Sequence, residues 1–584
     1  MSIFPAPLVR QSLLLFFALL LVGPAAAQKK ATQIDRLVAA YHDYGIFNGT
    51  VLVAEKGKVL FKKGYGMANM EWDMPNEADT RFRLGSITKQ FTAALILQLE
   101  AEGKLSTADY ISKHLPDYPG AVADKVTIHH LLVHTSGIPS YTGLPEFFNE
   151  KSRDPYTPDE FIEVFSTLPL EFEPGSTWRY NNSGYFLLGV IAEKVTGMSY
   201  ADALQAYIFE PLGMAHSGYD THAAILKKRA TGYERGAAGY ITAPYLDMSL
   251  PYAAGSLYST VEDLFLWDRA LSKDKLLSVD LKEKMFTPYM NDYGYGWFID
   301  DDRAFGDGSK ESVIIGHGGG INGFNTILER APEEGHLVVL LNNTGGTVLG
   351  SISKGIFDIL YGFDAELPKK PIVMEMSKLI ESKGIEAAVN RYNRLYAEQQ
   401  DAYDFSEQGM NGLGYALLQQ DKVDAAVAMF TLNTETYPDA FNTWDSLGEA
   451  YMERGDHEKA IAHYEKSLTL NPRNENAKEK LAEMGVEVDE SLGQEIEVAP
   501  EILASYVGTY EINPGFELTI TLEGAQLYAQ ATGQPRLEIF AQSEVRFFLK
   551  VVQAELEFRV AEDGIADQVT LYQGGREAPA KRVK

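Results

Sequence analysis

The 584-residue chain contains no cysteine. That excludes disulfides, thiolate metal sites, cysteine nucleophiles and thiol redox chemistry. Cationic residues are in short supply as well. Lys and Arg total 52 against 81 Asp and Glu, a formal net charge of -29. Charge of that sign disfavours phosphate backbones and anionic lipid surfaces, so neither nucleic acid nor a membrane surface is an expected partner. Long apolar runs are missing except near the start, where Ser12 to Val22 follows Arg10 and precedes Ala25-Ala26-Ala27. This is the pattern of a secretory signal cut before Gln28, too short for a comfortable transmembrane helix. Without a cysteine after the apolar core, lipid attachment at a cysteine is excluded. The expectation is a bacterial periplasmic or secreted protein, with residues 1–27 removed and no membrane span afterwards. Also absent are a Gly-x-Ser-x-Gly elbow, a phosphate-binding glycine loop and a His-Glu-x-x-His pair, so the chain lacks the usual α/β-hydrolase and zinc-protease signatures. No cofactor and no metal is expected.

At roughly 150 residues per domain, the length suits three or four domains. Residues 31–365 alternate between strand-like and helical stretches. An amphipathic helix runs through Ile34, Leu37, Val38 and Tyr41. A hairpin follows, with Thr50 to Ala54 and Val59 to Phe61 around the turn at Glu55–Lys58. A mostly helical middle runs to about Leu271, and Leu337 to Leu341 reads as a buried strand. Strands at both ends with helices between predict an α/β domain whose sheet joins distant segments. Pro368-Lys369-Lys370-Pro371 marks a linker. In residues 372–486 a 34-residue period appears, with Leu413 and Leu447, Gly414 and Gly448, Ala426 and Ala460, Phe430 and Tyr464, and Pro438 and Pro472 in register. These residues resemble tetratricopeptide (TPR) repeats, which implies paired helices, capped here by a helix over about Met374–Gln400 and another over Glu475–Met484. A protein or peptide partner on the concave face is a possible use of the repeats, and a structural spacer is the alternative. An acidic stretch, Glu487 to Glu490, leads into residues 500–584. There period-two alternation through Leu518, Ile520, Leu522, Leu537, Ile539, Leu556, Phe558 and Val560 predicts a small antiparallel β-domain, sandwich or barrel. It resembles the lipocalin-like domain often appended to secreted serine hydrolases.

The chemistry centres on Ser86-Ile87-Thr88-Lys89, ahead of the apolar run Phe91 to Leu97. Across one helical turn a lysine amine reaches a serine hydroxyl and takes its proton. The same tetrapeptide type recurs at Ser272–Lys275 and Ser351–Lys354, so context must choose. Acyl transfer by serine also needs a second proton carrier, two N–H donors for the oxyanion and a polar edge for the substrate. Tyr180-Asn181-Asn182 supplies a candidate carrier and amide, ahead of the apolar run from Ser183 to Gly189. Tyr289-Met290-Asn291 has the same spacing. Gly316-His317-Gly318-Gly319-Gly320 supplies an edge whose glycines permit close backbone approach. Either Lys89 or Tyr180 can serve as the base. His129, His130 and His134 read as structural.

These phrases, together with Lys63 to Asn69, Phe82 to Gly85, Ile128 to Pro139, Pro211 to Met214, Ala254 to Thr260 and Tyr293 to Trp297, resemble the serine β-lactamase and penicillin-binding superfamily, and most closely its class C-like esterase and peptidase branch. The resemblance implies a multidomain chain: an α/β β-lactamase-like (DD-peptidase) domain, then α-helical TPR repeats, then the small antiparallel β-domain. It also implies roles. Ser86 is the acylated nucleophile, and Lys89 is its base or the partner of one. Tyr180 and Asn182 form the Tyr-x-Asn pair. His317-Gly318-Gly319 stands at the Lys-Thr-Gly position, and the backbone N–H groups of Ser86 and Gly320 are the oxyanion donors. His317, Gly319, Gly320 and Asn182 are thus expected at the substrate, a small molecule or peptide. A mostly neutral histidine is a poorer carboxylate clamp than lysine. The expected activity is therefore ester, amide or peptide hydrolysis through a Ser86 acyl-enzyme. The alternatives are a penicillin-binding sensor or scaffold with little turnover, and a true β-lactamase.

Overall fold

Short apolar runs, buried on both faces, build the centre of the first unit's main sheet. The computed structural model describes residues 27–584 apart from 146, 237–238, 348, 489–494, 514–515, 533, 535, 551–553, 562–563 and 574–575. The signal reading, on residues 1–26, and the end of the acidic stretch lie outside the described residues. Strands β1 (Gly49–Glu55) and β2 (Lys58–Tyr65) form a hairpin whose turn, Lys56-Gly57, has φ of 51° and 74°. A small hairpin, β3 (Tyr233–Gly236) and β4 (Gly239–Thr242), stands apart from the main sheet. Four strands come late: β5 (Phe298–Phe305), β6 (Lys310–Ile321), β7 (Phe324–Ala331) and β8 (His336–Asn342). The sheet order is β5-β6-β7-β8-β1-β2. The two ends of the domain meet in the antiparallel β1–β8 pairing, from Gly49 opposite Asn342 to Ala54 opposite Leu337.

Because neighbouring residues of a strand face opposite ways, this sheet serves two cores. Val51, Val53, Val338 and Leu340 enter one; Leu52, Ala54, Leu337, Val339 and Leu341 enter the other. Its helices include, in chain order, α1 (27–43), α2 (Thr88–Ala101), α3 (Asn182–Thr196), α4 (Tyr252–Gly255) and α5 (Gly350–Tyr361). Helices α1 and α5 cover the first face through Ile34, Leu37, Val38, Ile352 and Ile356. The helical middle covers the second, with α2 at its centre. Every residue of α2 from Thr88 to Leu97 is buried, as expected of a helix that is apolar around most of its circumference.

A second compact unit begins after Pro368. It opens with α6 (Ile372–Lys383) and α7 (Ile385–Glu398). These replace the single helix expected over Met374–Gln400. Gly384, at φ 86°, takes a conformation that a continuing helix does not allow. The repeats follow as α8 (Glu407–Leu418), α9 (Val423–Thr436), α10 (Phe441–Glu453) and α11 (His457–Leu470), with α12 (Glu475–Glu483) packed after them. The repeat glycines explain the pairing. A Cβ on Gly414 would lie 2.4 Å from the Phe430 ring, and one on Gly448 3.1 Å from the Tyr464 ring. Eight antiparallel strands between Gly508 and Arg582 then close into a barrel, joined where Tyr510 pairs with Arg582. Its interior is filled by Tyr510, Leu518, Ile520, Leu556, Phe558 and their neighbours. The β-domain is therefore the barrel rather than the sandwich. Among the described residues no helix is long and apolar enough to cross a membrane.

Candidate active site

Ser86 sits in a single 3-10 turn, Gly85–Ile87, that runs directly into α2. Gly85 has φ 55°, and a Cβ there would lie 2.9 Å from the Gly320 nitrogen. The turn is thus pressed against β6, and only glycine fits. Gly319 is equally constrained, since its Cβ would fall 1.9 Å from the Leu84 carbonyl oxygen. Thr326 on β7 secures the same segment by donating from Oγ1 to Leu84 O at 2.7 Å.

Lys89, one helical turn after Ser86, is fully buried. Its Nζ lies 3.0 Å from Ser86 Oγ, 2.8 Å from Asn182 Oδ1 and 2.9 Å from the Ala254 carbonyl oxygen. Burial holds its pKa well below the ordinary lysine value, because the charged form loses its hydration. A neutral amine has two N–H donors and one lone pair. Asn182 Oδ1 and Ala254 O can only accept, so they take both donors. Ser86 Oγ is the third partner: it accepts from Nζ in the ammonium form and faces the lone pair in the neutral form.

Tyr180 reaches the same point from the segment before α3. Its ring centroid is 4.8 Å from Lys89 Nζ. Burial raises the phenol pKa, opposed by the Ser86 hydroxyl beside it, so the group stays protonated, and its buried hydroxyl has no hydrogen bond of normal geometry. The segment is fixed by Asn181, the N-cap of α3, which accepts from Gly184 N at 2.7 Å and donates to the Ile138 carbonyl. Asn182 is oriented by Ser140 Oγ, 3.1 Å from its backbone nitrogen, and by donating to Thr142 Oγ1 at 3.0 Å. That leaves Oδ1 for Lys89.

His317 is buried behind this group. Its Nδ1 meets the Gly318 carbonyl, which can only accept, so Nδ1 carries the proton and Nε2 accepts from the Tyr293 hydroxyl at 3.1 Å. Burial, then the Lys89 charge, pushes its pKa down to about 3. At neutral pH the ring carries no charge. Gly320 lies beside the turn Asn322-Gly323 that joins β6 to β7. Pairing alternates along an antiparallel ladder, and the pair flanking a two-residue turn is the bonded one. Ile321–Phe324 is that pair, so the N–H of Gly320 points away from β7. On that side β5 has already ended its pairing at Gly316, and the N–H is free to face Ser86.

Ser86, Asn182, Ala254 and Gly320 open onto a cavity of about 360 Å³, walled also by Tyr141, Thr142, Phe148, Phe324 and Glu234. Lys89, Tyr180, His317 and Gly319 lie behind that wall. The other Ser-x-x-Lys stretches are engaged elsewhere. Ser272 donates to Asp268 O and accepts from Arg330, and Lys354 pairs with Asp358 at 2.9 Å. Tyr289 stacks on Tyr295, far along the chain from Tyr180. His129 meets the Tyr295 hydroxyl, and His130 completes a capping box with Thr127. His134 is closer to the chemistry: it accepts from Asn181 N at 3.1 Å and packs 4.4 Å from the Tyr180 ring. Ser140 and Thr142 were not singled out in the sequence, and Tyr293 and Ala254 stood only at the start of family-like phrases, with no role assigned. Ser140 and Thr142 follow directly on the phrase ending at Pro139, which is the one local signal for them. A backbone carbonyl has none.

A serine hydroxyl 3.0 Å from a buried lysine amine, beside a strand-edge N–H, thus sits on a sheet-and-helix domain. The chain belongs to the beta-lactamase family, whose profile matches residues 34–356. A tetratricopeptide repeat profile matches residues 444–474, and a domain of unknown function, DUF3471, matches 493–581. A Bacillus subtilis penicillin-binding protein is 27% identical over 586 residues, covering 95% of this chain and all of its own length. The octameric penicillin-binding protein homologue of Pyrococcus abyssi covers 94% of the chain and 99% of its own, at 21% identity and a TM-score of 0.50. A D-stereospecific amidohydrolase from Streptomyces sp. covers 57% of the chain and 98% of its own, at 28% identity and a TM-score of 0.47.

Proposed function

We propose that the protein is an exported serine hydrolase that cleaves an ester or amide through a Ser86 acyl-enzyme. The observation that carries this reading is the setting of buried Lys89, whose Nζ lies 3.0 Å from Ser86 Oγ with Asn182 Oδ1 and Ala254 O as its other partners. In this mechanism neutral Lys89 takes the Ser86 proton as Oγ bonds to the carbonyl carbon. The N–H groups of Ser86 and Gly320 receive the oxyanion. Tyr180 gives its proton to the leaving oxygen or nitrogen and is reprotonated by Lys89. Water, deprotonated by the same pair, then releases the acyl group and restores Ser86. His317 holds Tyr293 and the Gly318 peptide and brings no positive charge to the substrate. We place the protein in the periplasm or outside the cell on the signal pattern, and the TPR region as a surface for a protein or peptide.

The test is direct. Ser86→Ala is expected to abolish both turnover of 4-nitrophenyl acetate and labelling by a fluorophosphonate probe. Labelling that survives the substitution refutes the assignment. A second reading, a penicillin-binding protein with little turnover, is favoured by the full-length similarity to the Bacillus subtilis protein. A long-lived adduct with fluorescent penicillin and no ester turnover would select it. A true β-lactamase is disfavoured because, among the described residues, no Lys, Arg or His lines the cavity to meet a substrate carboxylate.

A further inference from the structure

Glu234 is the one charged side chain that lines the Ser86 cavity among the described residues. It projects from β3, and Gly323 N donates to its Oε1 at 2.8 Å. Among the described residues it forms no ion pair, and Oε2 has no partner. Gly345 packs against it: a Cβ there would lie 2.0 Å from Oε2, so the carboxylate sits directly over the glycine. A half-buried carboxylate with a single backbone hydrogen bond attracts a cation strongly, because the surrounding wall lowers the effective dielectric. The rest of the wall offers apolar surface from Phe148, Leu246 and Phe324 and neutral amides from Asn322 and Asn325.

We propose that Glu234 is a specificity residue that receives a substrate ammonium group, so that the preferred substrates are aminoacyl esters or amides with a free amine and no carboxylate. Ser86 and Glu234 line one cavity of about 360 Å³, so a single small substrate can present its carbonyl to Ser86 and its amine to Glu234. The opposite arrangement, an anionic substrate, would set its charge against Glu234 with no cation in the wall to offset it.

This inference rests on the acyl-transfer reading, and the experiment separates the two. Both enantiomers of phenylalanine 4-nitroanilide are compared with their N-acetyl derivatives, alongside 4-nitrophenyl acetate. The full-length protein is expected to favour the free amine in kcat/KM by about ten- to a hundredfold, the range of a charge-assisted hydrogen bond. Glu234→Gln is expected to remove most of that ratio, and Glu234→Asp to retain part of it. The ratio in the unaltered protein is also expected to fall between pH 6 and 9, as an α-amine with an ordinary pKa of about 7.7 to 8.0 loses its proton. Enzyme titration cancels in the ratio. This pH test needs no variant, so it stands even if one fails to fold. No turnover of any of these substrates defeats the hydrolase assignment itself. Turnover of the acetate ester with equal use of free and acetylated amines, a ratio unmoved by Glu234→Gln, or a ratio that is flat with pH overturns the role of Glu234 alone.

Discussion

Lys89 shows how a single residue's surroundings set its chemistry. Lysine ordinarily carries charge at neutral pH and is useless as a base. Here complete burial lowers its pKa, and its two accepting partners suit the neutral amine. Tyr180 is shifted the other way by the same desolvation. In the proposed mechanism the first serves as base and the second as acid, the division of labour that proton transfer needs. The sign of the pH dependence follows. Activity requires Lys89 neutral, so it is lost as pH falls through the lowered lysine pKa. Tyr180 must keep its proton, and its raised pKa leaves no alkaline loss in the ordinary range. A neutral ester is therefore expected to give a kcat/KM profile with one acid limb and a plateau to about pH 9, a limit set by the ordinary tyrosine pKa near 10. Lys89→Arg places a longer, permanently charged side chain there that cannot give up its proton. It is expected to lower kcat/KM by about a hundred- to ten-thousandfold, the usual contribution of a general base. Activity within tenfold of the unaltered protein would make Lys89 a structural residue.

At the scale of elements, the site is a contact between a helix start and a strand. Turn Gly85–Ile87 meets β6 so closely that Gly85 and Gly319 have no space for a side chain. Gly319→Ala would drive a methyl group into Leu84 O and to 2.4 Å from Thr326 Oγ1. The expected outcome is a folded protein destabilised by about 1–3 kcal/mol that has lost most fluorophosphonate labelling, because Ser86 moves relative to the Gly320 N–H. Chemical denaturation and a labelling time course check it, and unchanged labelling would show that β6 does not position the nucleophile. Much of this was legible in the chain. The short apolar runs Thr50 to Ala54 and Leu337 to Leu341 announced strands of one sheet, and the 34-residue register of Gly414 with Gly448 and Phe430 with Tyr464 announced paired helices. Ser86, Lys89, Tyr180 and Asn182 could be named because each belongs to a short local pattern. What was hidden depends on contacts between distant segments. Gly384 splits a helix that composition alone would continue. Ala254 offers a carbonyl, which no side-chain pattern reveals. Glu234 lies in an unremarkable hairpin, and it matters only because β3 brings it beside Gly323 and Gly345.

At the scale of the whole molecule, two units each close their own cores. The sheet of the first is sealed on both faces by residues before Pro368, and the repeats and barrel are filled by residues after Lys369. Within the second unit the repeats and barrel are linked: Arg473, just after α11, lies 3.7 Å from the Phe548 ring centroid and 3.6 Å from the Glu555 carboxylate. All the residues assigned to the chemistry, from Ser86 to Gly320, come from the first unit. Domains with separate cores unfold as separate cooperative transitions, and a ligand raises only the stability of the unit that binds it. Residues 28–368 expressed alone are therefore expected to fold and to hydrolyse 4-nitrophenyl acetate with a kcat/KM within about threefold of the full chain, a difference of under 1 kcal/mol. In the full chain, calorimetry is expected to resolve two transitions, and acylation of Ser86 by a fluorophosphonate should move one of them and leave the other in place. A single transition shifted as a whole, together with an inactive 28–368 fragment, would mean that the repeats and barrel are needed to form the site.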